Sequence, residues 1–379
     1  MSPPRAQEVD LLRSVALVGI CLVNLPYLAI PLDVLAQGPT TPADRIAAFG
    51  SSLLLEGKFF VLFSFLFGWG FGVQLQAATR RGVAARPLYM RRLAGLLLIG
   101  LAHAALVFYG DILVLYAILG LILWSQRDAP TQRLLRLAVA MIVVAALAYG
   151  LLGAALTMAD AVLPPTAEPS GYLGGVSDAV RQRVSDWTFT FPVRLLFNGP
   201  LALGAFALGL AAHRTGFLAA GSAGFAALER RVPVLLAIAV PANLAYALSV
   251  AGALPTLPLA AAGMAALAVG SPALAAVYLW AVVRLARAAP GVRLASGRIS
   301  LSGYVMQGVL AGLVFNGVGL GLHGQIGSAG LLAVAIAIAV TVELGARLWL
   351  GRFRTGPLEA LLRRMTYAGP PPAAPAPTG

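Results

Sequence analysis

The sequence predicts an all-α, polytopic integral membrane helix bundle of about ten transmembrane helices, with both termini in the cytoplasm. Apolar residues make up 59% of the 379 positions and the mean hydropathy is +0.86, while only 11% of residues are charged. Soluble domains carry about 25% charged residues. The apolar residues also gather in runs long enough to cross a bilayer. This composition excludes an ordinary soluble enzyme, a disordered chain and a nucleic-acid-binding domain.

Each predicted helix is an apolar run bounded by short polar connections. At 1.5 Å per residue, most of these runs are long enough to span the hydrocarbon core of a bilayer. The ten runs cover residues 11–32, 51–76, 92–109, 112–125, 134–156, 191–212, 231–253, 257–283, 298–318 and 328–350. The third and fourth runs are short and separated only by Gly110 and Asp111, so they form either a tight hairpin or a pair with one re-entrant member.

The distribution of positive charge fixes the predicted orientation. With ten helices and both termini inside, 21 of the 27 basic residues fall on the cytoplasmic side. Retention of Arg and Lys on that side is the usual signature of inner loops. An odd number of helices would place one arginine cluster on the wrong side.

The connections divide the chain into predicted parts. A polar loop at 157–190, outside the cytoplasm, separates a five-helix half at 1–156 from a second five-helix half at 191–355. An amphipathic helix at 356–367 is predicted to lie on the inner membrane surface. The Pro- and Ala-rich tail at 368–379 is predicted to be disordered.

Ionisable and amide groups inside the predicted spans are the main functional clues, because each costs a few kcal/mol in hydrocarbon without a partner or a cavity. Lys58 is the only lysine in the chain and shares a helical face with Gly68 and Gly72. Glycines mark close helix contacts, so that face should turn inward. Lys58 is either a buried cation that binds an anionic group or moves a proton, or a lysine that reaches the outer headgroups.

A histidine and an aspartate lie close together in the third and fourth runs. His103 with Asp111 is either a general base with its orienting group or a satisfied buried histidine. In the first run, Arg13 is either a cytoplasmic anchor or a substrate-binding group. Asn24, three turns further on, either joins two helices by a hydrogen bond or contacts substrate.

The predicted topology places most of these polar groups in the outer half of the membrane, where they would line one polar cavity. The group consists of Asn24, Lys58, His103, Asp111, Arg194, Asn198 and Asn316. The three histidines are scattered, with no Cys or carboxylate at ligand spacing, so we expect no metal site and no permanently bound cofactor. The glycine-rich stretch 68–72 indicates helix packing rather than a dinucleotide loop.

Several short motifs, taken in order, resemble the YeiB-like family of bacterial inner-membrane proteins of unknown function. They are Asp10-Leu11-Leu12-Arg13 with Val23-Asn24, Gly57-Lys58-Phe59-Phe60, Gly100-Leu101-Ala102-His103, Gly110-Asp111-Ile112-Leu113, Gly297-Arg298-Ile299-Ser300 and Gly356-Pro357-Leu358-Glu359. The resemblance covers most of the chain and implies a location in the bacterial cytoplasmic (inner) membrane.

That family is in turn distantly similar to transmembrane acyltransferases, namely the heparan glucosaminide N-acetyltransferase type and the bacterial sugar O-acyltransferases. The similarity implies an acyl-CoA or similar acyl donor. In the sugar O-acyltransferases, a histidine follows the helix 1 arginine by eleven positions. Here Arg13 is followed at that distance by Asn24. Asparagine cannot serve as a general base, so that role does not carry over to this position.

The first functional hypothesis is therefore an acyltransferase-like enzyme acting on an envelope or secreted acceptor. His103 would be the base, oriented by Asp111, while Lys58 and Asn24 would stabilise developing negative charge. The residues predicted to bind substrate are Arg13, Glu56, Arg194, Asn198 and Asn316.

Two other functions remain open at this point. One is a transporter or exporter of a small molecule, and the other is a non-catalytic membrane protein that docks a partner through its basic inner loops. The expected partners are the lipid bilayer and a small-molecule substrate, and no nucleic acid.

Overall fold

The computed structural model describes residues 7–158, 170–254 and 256–368, and every regular element within these ranges is helical. The α-helices are α1 (Gln7–Ala29), α2 (Leu32–Gln37), α3 (Pro42–Leu54), α4 (Lys58–Arg80), α5 (Ala85–Leu106), α6 (Leu113–Ser125), α7 (Thr131–Met158), α8 (Val176–Arg214), α9 (Ala223–Val250), α10 (Leu257–Ala288), α11 (Ser300–Phe315), α12 (Ser328–Arg352) and α13 (Pro357–Tyr367). Short 3₁₀ turns occupy Gly171–Leu173 and Ser296–Ile299.

The predicted fold class, a polytopic helical bundle, is confirmed. Among the described residues, nine helical segments are long and apolar enough to cross a membrane, and α3 with α4 forms one of them. Helix α6 is the exception, because 13 residues extend only about 20 Å against the ~30 Å of a bilayer core. It packs against α5 as a hairpin, which is one of the two arrangements expected from the sequence.

The second predicted span, 51–76, is interrupted in the structure. Helix α3 ends at Leu54 and α4 begins at Lys58. Gly57 between them has φ +79°, a conformation that favours glycine and turns the chain out of the helix. Lys58 is consequently the first residue of α4 rather than a residue two turns into a continuous helix.

The loop predicted at 157–190 is partly helical. Helix α8 begins at Val176, well before the predicted start of its span, and its first turn is stabilised by Asp178, which accepts a hydrogen bond from the Gly175 amide at 2.9 Å. Residues 159–169 of the predicted loop lie outside the described residues. The predicted disordered tail also lies outside them, except for residue 368.

Helices α4 and α8 pack with their backbones in direct contact. A Cβ atom added at Gly68 would come closer than 3.0 Å to the carbonyl oxygen of Phe206, and one added at Gly209 would meet the carbonyl oxygen of Phe65 in the same way. Small residues at such crossings allow membrane helices to approach closely. The interpretation of the glycine-rich stretch as a packing surface therefore agrees with the structure.

The terminal helix α13 is held by the bundle through one carboxylate. Glu359 accepts hydrogen bonds from the Leu301 amide at 2.8 Å and from the Ser302 hydroxyl at 2.5 Å, at the start of α11. A carboxylate at a helix N-terminus satisfies amide groups that have no partner within the helix. Leu362 of α13 is buried against α5, so this amphipathic helix is an integral part of the fold.

Candidate functional site

A polar cavity of about 390 Å³ lies at one end of the bundle, where α1 ends, α4 begins and α5 turns back into α6. Its polar and charged wall is formed by Asn24, Tyr27, Glu56, Tyr109, Asp111, Tyr149, Thr190, Arg194, Asn198, Tyr246 and Tyr304. Its volume falls within the range of small-molecule sites, about 300–1,000 Å³. We call this space the polar cavity.

Five of the predicted site residues line the polar cavity, although they are far apart in sequence. Asn24 comes from α1, Glu56 from the connection between α3 and α4, Asp111 from the turn before α6, and Arg194 and Asn198 from α8. Of the seven polar groups expected to line one cavity, Asn24, Asp111, Arg194 and Asn198 do so, and Glu56 lies beside them as a further predicted substrate-binding residue.

Four predicted site residues do not line this cavity. Arg13 lies near the opposite end of the bundle beside Asp10, with 3.4 Å between Nη1 and Oδ1. Eleven residues of helix separate Arg13 from Asn24, which is about 16 Å. Asn316 ends α11, where its carbonyl oxygen accepts hydrogen bonds from two turn amides at 2.9 and 3.0 Å, which is a structural role. The other two residues are Lys58 and His103.

Lys58 is completely buried, with 0% of its surface exposed. Its ammonium donates a hydrogen bond of 2.7 Å to the carbonyl oxygen of Ser52 and lies 5.7 Å from the ring centre of Tyr246. Burial rules out the headgroup-reaching lysine and supports the inward-facing one. The contact, however, is with the C-terminal end of α3, so the ammonium caps a helix there and does not enter the polar cavity.

His103 and Asp111 form a buried pair. The distance from His103 Nδ1 to Asp111 Oδ1 is 2.9 Å, and Asp111 Oδ2 accepts a hydrogen bond from the Val114 amide at 2.8 Å. Helical spacing alone would keep the two apart, but α5 ends at Leu106 and the following turn folds the chain back. The pair thus joins the end of α5 to the start of α6.

Only the aspartate of this pair reaches the polar cavity. His103 Nε2 is buried with no hydrogen-bond partner among the described residues, and its ring packs against Tyr304 with 4.8 Å between the ring centres. A general base must lie within hydrogen-bonding reach of the proton it removes. The observed geometry therefore places His103 behind the cavity wall, where it supports Asp111.

Two opposite charges, Glu56 and Arg194, face the polar cavity. Arg194 donates a hydrogen bond of 3.0 Å to the carbonyl oxygen of Gly110, and Glu56 accepts one of 2.7 Å from the Tyr246 hydroxyl. In the described part of the chain, neither side chain has an oppositely charged partner within 4.0 Å. Charges inside a membrane bundle are costly unless they meet a partner or a water-filled or ligand-filled space.

Tyrosines form most of the remaining polar wall and were not identified from the sequence. Tyr149 of α7 donates a hydrogen bond of 2.5 Å to Asn198, and Tyr246 of α9 donates to Glu56. Burial raises the pKa of the Tyr109 hydroxyl above its ordinary value, so this group stays protonated and able to donate. The available signal was a hydroxyl-bearing ring within an otherwise apolar run, since such a hydroxyl usually has a partner when buried.

No cluster of three His, Cys, Asp or Glu side chains suited to a metal ion occurs within the residues that the structure describes. The polar cavity instead offers one guanidinium, one ion-pair-free carboxylate, two amides and several hydroxyls. Such a wall can bind a polar organic molecule, remove a proton from it and stabilise negative charge on it.

Transmembrane helices that enclose one polar cavity define a polytopic membrane protein with a site of small-molecule size. The profile of the family described as a protein of unknown function (DUF418) matches residues 212–369. The chain is 30% identical over 408 residues to the uncharacterized protein YeiB of Escherichia coli (strain K12), covering 97% of this chain and 98% of YeiB. It is 29% identical over 391 residues to the uncharacterized protein YxaH of Bacillus subtilis (strain 168), covering 96% and 94%.

The chain therefore belongs to the YeiB-like family of proteins of unknown function, which confirms the family predicted from its motifs. No solved structure matches it.

Proposed function

We propose that this chain is a membrane acyltransferase whose site is the polar cavity. The cavity would open on the side of the bacterial inner membrane that the charge distribution predicts to be extracytoplasmic. The observation that supports this function is that Glu56 and Arg194 face one cavity with no ion pair between them or with any other described side chain. Acyl transfer to a hydroxyl needs a base for the hydroxyl proton and a cation for the developing oxyanion.

The proposed step is an ordinary acyl substitution. The oxygen of the acceptor hydroxyl attacks the carbonyl carbon of an acyl thioester, a C–O bond forms and the C–S bond breaks. Glu56 takes the hydroxyl proton and returns it to the leaving thiolate. Arg194 stabilises the oxyanion, while Asn24 and Asn198 orient the acceptor.

His103 and Asp111 have a positioning role in this proposal. Their contact fixes the turn that contains Gly110, and the carbonyl oxygen of Gly110 holds Arg194 at 3.0 Å. The base of the reaction is consequently Glu56 rather than His103, which differs from the role expected from the sequence alone.

The test uses membranes from cells that carry this chain as their only member of the family. Radiolabelled acetyl-CoA is the probe donor, and label is followed into both the lipid and the water-soluble envelope fractions. Glu56→Gln and Arg194→Gln should each lower transfer by about 100-fold or more, because a general base and an oxyanion donor each contribute about that much.

The matched controls change the same residue types at ion pairs that lie away from the polar cavity. Glu229→Gln and Arg181→Gln should leave transfer unchanged. Wild-type membranes that transfer no label above cells lacking the chain would refute the proposal. So would full transfer by the Glu56→Gln variant with normal membrane levels.

A second candidate, a small-molecule transporter, is favoured by one observation. The break between α3 and α4 lies in the cavity wall at Glu56 and Gly57. Broken helices at binding sites are typical of secondary transporters. Proteoliposomes loaded with a radiolabelled extract of small metabolites, without acyl donor, distinguish the two functions, since only a transporter releases label in a manner that depends on Glu56.

A further inference from the structure

A second cavity of about 550 Å³ adjoins the polar cavity and shares part of its wall. Both spaces are bordered by Val23, Tyr27, Glu56 and Tyr246. We call the second space the side groove. One molecule that occupies both would pass directly beside the Glu56 carboxylate.

The side groove has an aliphatic wall made by the end of α1, by α2 and by the start of α12. Side chains in this wall include Leu22, Pro26, Ile30, Leu35, Leu331 and Leu332. These groups can contact an alkyl chain and have no hydrogen bonds to offer a polar ligand.

The charges of the side groove are unsuited to an anionic ligand. Among the residues that the structure describes, its charged lining consists of the carboxylates Asp44 and Glu56. The Asp44 carboxylate already has structural partners. Its Oδ1 accepts a hydrogen bond from the Ala329 amide at 2.9 Å, and its Oδ2 accepts one from the Thr41 hydroxyl at 2.6 Å. The guanidinium that can receive an anionic or carbonyl group, Arg194, lies in the polar cavity instead.

The side groove also reaches the outside of the bundle. Val34 and Val250 line it and are 45% and 51% exposed. Exposed aliphatic side chains on a membrane bundle are suited to contact lipid chains. A ligand can therefore enter the side groove from outside the bundle, past these aliphatic side chains.

We propose that the acceptor is a lipid whose hydroxyl-bearing head occupies the polar cavity and whose acyl chain occupies the side groove. This inference rests on the proposed acyltransferase function and names its substrate class. The chemical step is the one given above, with the head hydroxyl as the attacking group. The shared wall places that hydroxyl beside Glu56, at the junction of head and chain.

The experiment measures lipid occupancy independently of acyl transfer. The probe is a diacylglycerol analogue, which is neutral and has its hydroxyl at the junction of head and chain, with a photoactivatable diazirine in one acyl chain; it is added to the full chain in nanodiscs. Cross-links located by peptide mass spectrometry should fall within α1, α2 and the first turns of α12. Leu332→Trp, which fills the side groove, should reduce cross-linking in these segments by about tenfold.

Leu348→Trp is the matched control, because Leu348 lies on the same helix and is 78% exposed. It should leave the cross-links unchanged. Val34→Trp provides a second variant at the partly exposed rim, where a larger side chain is tolerated even if Leu332→Trp misfolds. It should also reduce cross-linking.

The outcomes separate this inference from the proposed function. Equal cross-linking in wild type, Leu332→Trp and Val34→Trp overturns the lipid-binding side groove. Transfer of acetyl label to a water-soluble acceptor, at a rate that Val34→Trp does not change, also overturns the lipid acceptor. It leaves the proposed acyltransferase function supported. If the side-groove cross-links disappear in Val34→Trp and wild type transfers no acetyl label, the lipid-binding side groove is supported and the acyltransferase function is refuted.

Discussion

Replacing Gly68 by alanine should destabilise the bundle, because it puts a methyl group into the contact between α4 and α8. A Cβ atom at this position would come closer than 3.0 Å to the backbone oxygen of Phe206, a separation that real Cβ atoms essentially never show. The obstacle is helix backbone and cannot rotate away as a flexible side chain can. The two helices must therefore separate locally.

The expected size of the effect follows from comparison with a neighbouring glycine. Overpacking a close contact costs about 1–3 kcal/mol, and a backbone obstacle belongs at the upper end. Alanine also gains about 1 kcal/mol over glycine in helix propensity. Gly70→Ala makes the same exchange in the same helix, with nothing within 4 Å of the added atom. Propensity cancels between the two variants, leaving a difference of about 3 kcal/mol.

The assay is thermal unfolding of the purified protein in detergent, followed by the amount of monodisperse protein that survives heating. At about 2 °C per kcal/mol, Gly68→Ala should melt about 6 °C below Gly70→Ala. Gly209→Ala, whose added atom meets the backbone oxygen of Phe65, should behave like Gly68→Ala. Equal melting temperatures for Gly68→Ala and Gly70→Ala would show that the two helices do not cross at Gly68.

Two further variants test the buried polar groups by the same melting assay. Lys58→Met should lower the free energy of unfolding by about 1–3 kcal/mol, because it leaves the carbonyl oxygen of Ser52 buried without its charged donor. A variant as stable as wild type would mean that burying the ammonium costs as much as its hydrogen bond contributes. Asp111→Asn keeps an oxygen for the Val114 amide but loses the contact of the carboxylate with His103. Asp111→Ala removes both contacts, so it should lower the free energy of unfolding by about 1 kcal/mol more than Asp111→Asn does. The opposite order would contradict the capping role of Asp111.

The bundle was predictable because its signals are local. Length and hydropathy identify a membrane span without knowledge of its neighbours, and glycines at helical spacing indicate a packing face. Gly68 and Gly72 both face α8, whereas a Cβ atom added at Gly70 between them would have no described neighbour within 4 Å. The same local reasoning failed at Gly57, because hydropathy does not record that a glycine with φ +79° ends one helix and begins another.

The site was predictable only in part, because side-chain direction depends on connections between helices. The turn after α5 brings Asp111 against His103, which helical spacing would have kept apart. The break at Gly57 directs Lys58 toward Ser52 instead of toward the cavity. Tyr149 lies in the wall because of how α7 packs against α8 and α10. The sequence gives no signal for this position beyond the hydroxyl of the side chain.

The two charges in the polar cavity each depend on a buried ionisable group behind the wall. On one side, Lys58 holds the end of α3 and lies against Tyr246, which donates its hydrogen bond to Glu56. On the other side, the His103–Asp111 pair holds the turn whose carbonyl oxygen orients Arg194.

This arrangement explains why Lys58 and His103 are buried away from the cavity even though burying an ionisable group costs free energy. Each fixes the backbone or the ring that carries the next hydrogen bond inward, and a site is most effective when supporting contacts lock its charged groups. The space around Gly110 is tight on both sides, since a Cβ atom there would come closer than 3.0 Å to the Phe108 ring and within 2.8 Å of Arg194 Nη2. Gly110→Ala should therefore displace the Phe108 ring and the guanidinium with no change in charge. It should lower acyl transfer as Arg194→Gln does, while the bundle itself stays folded.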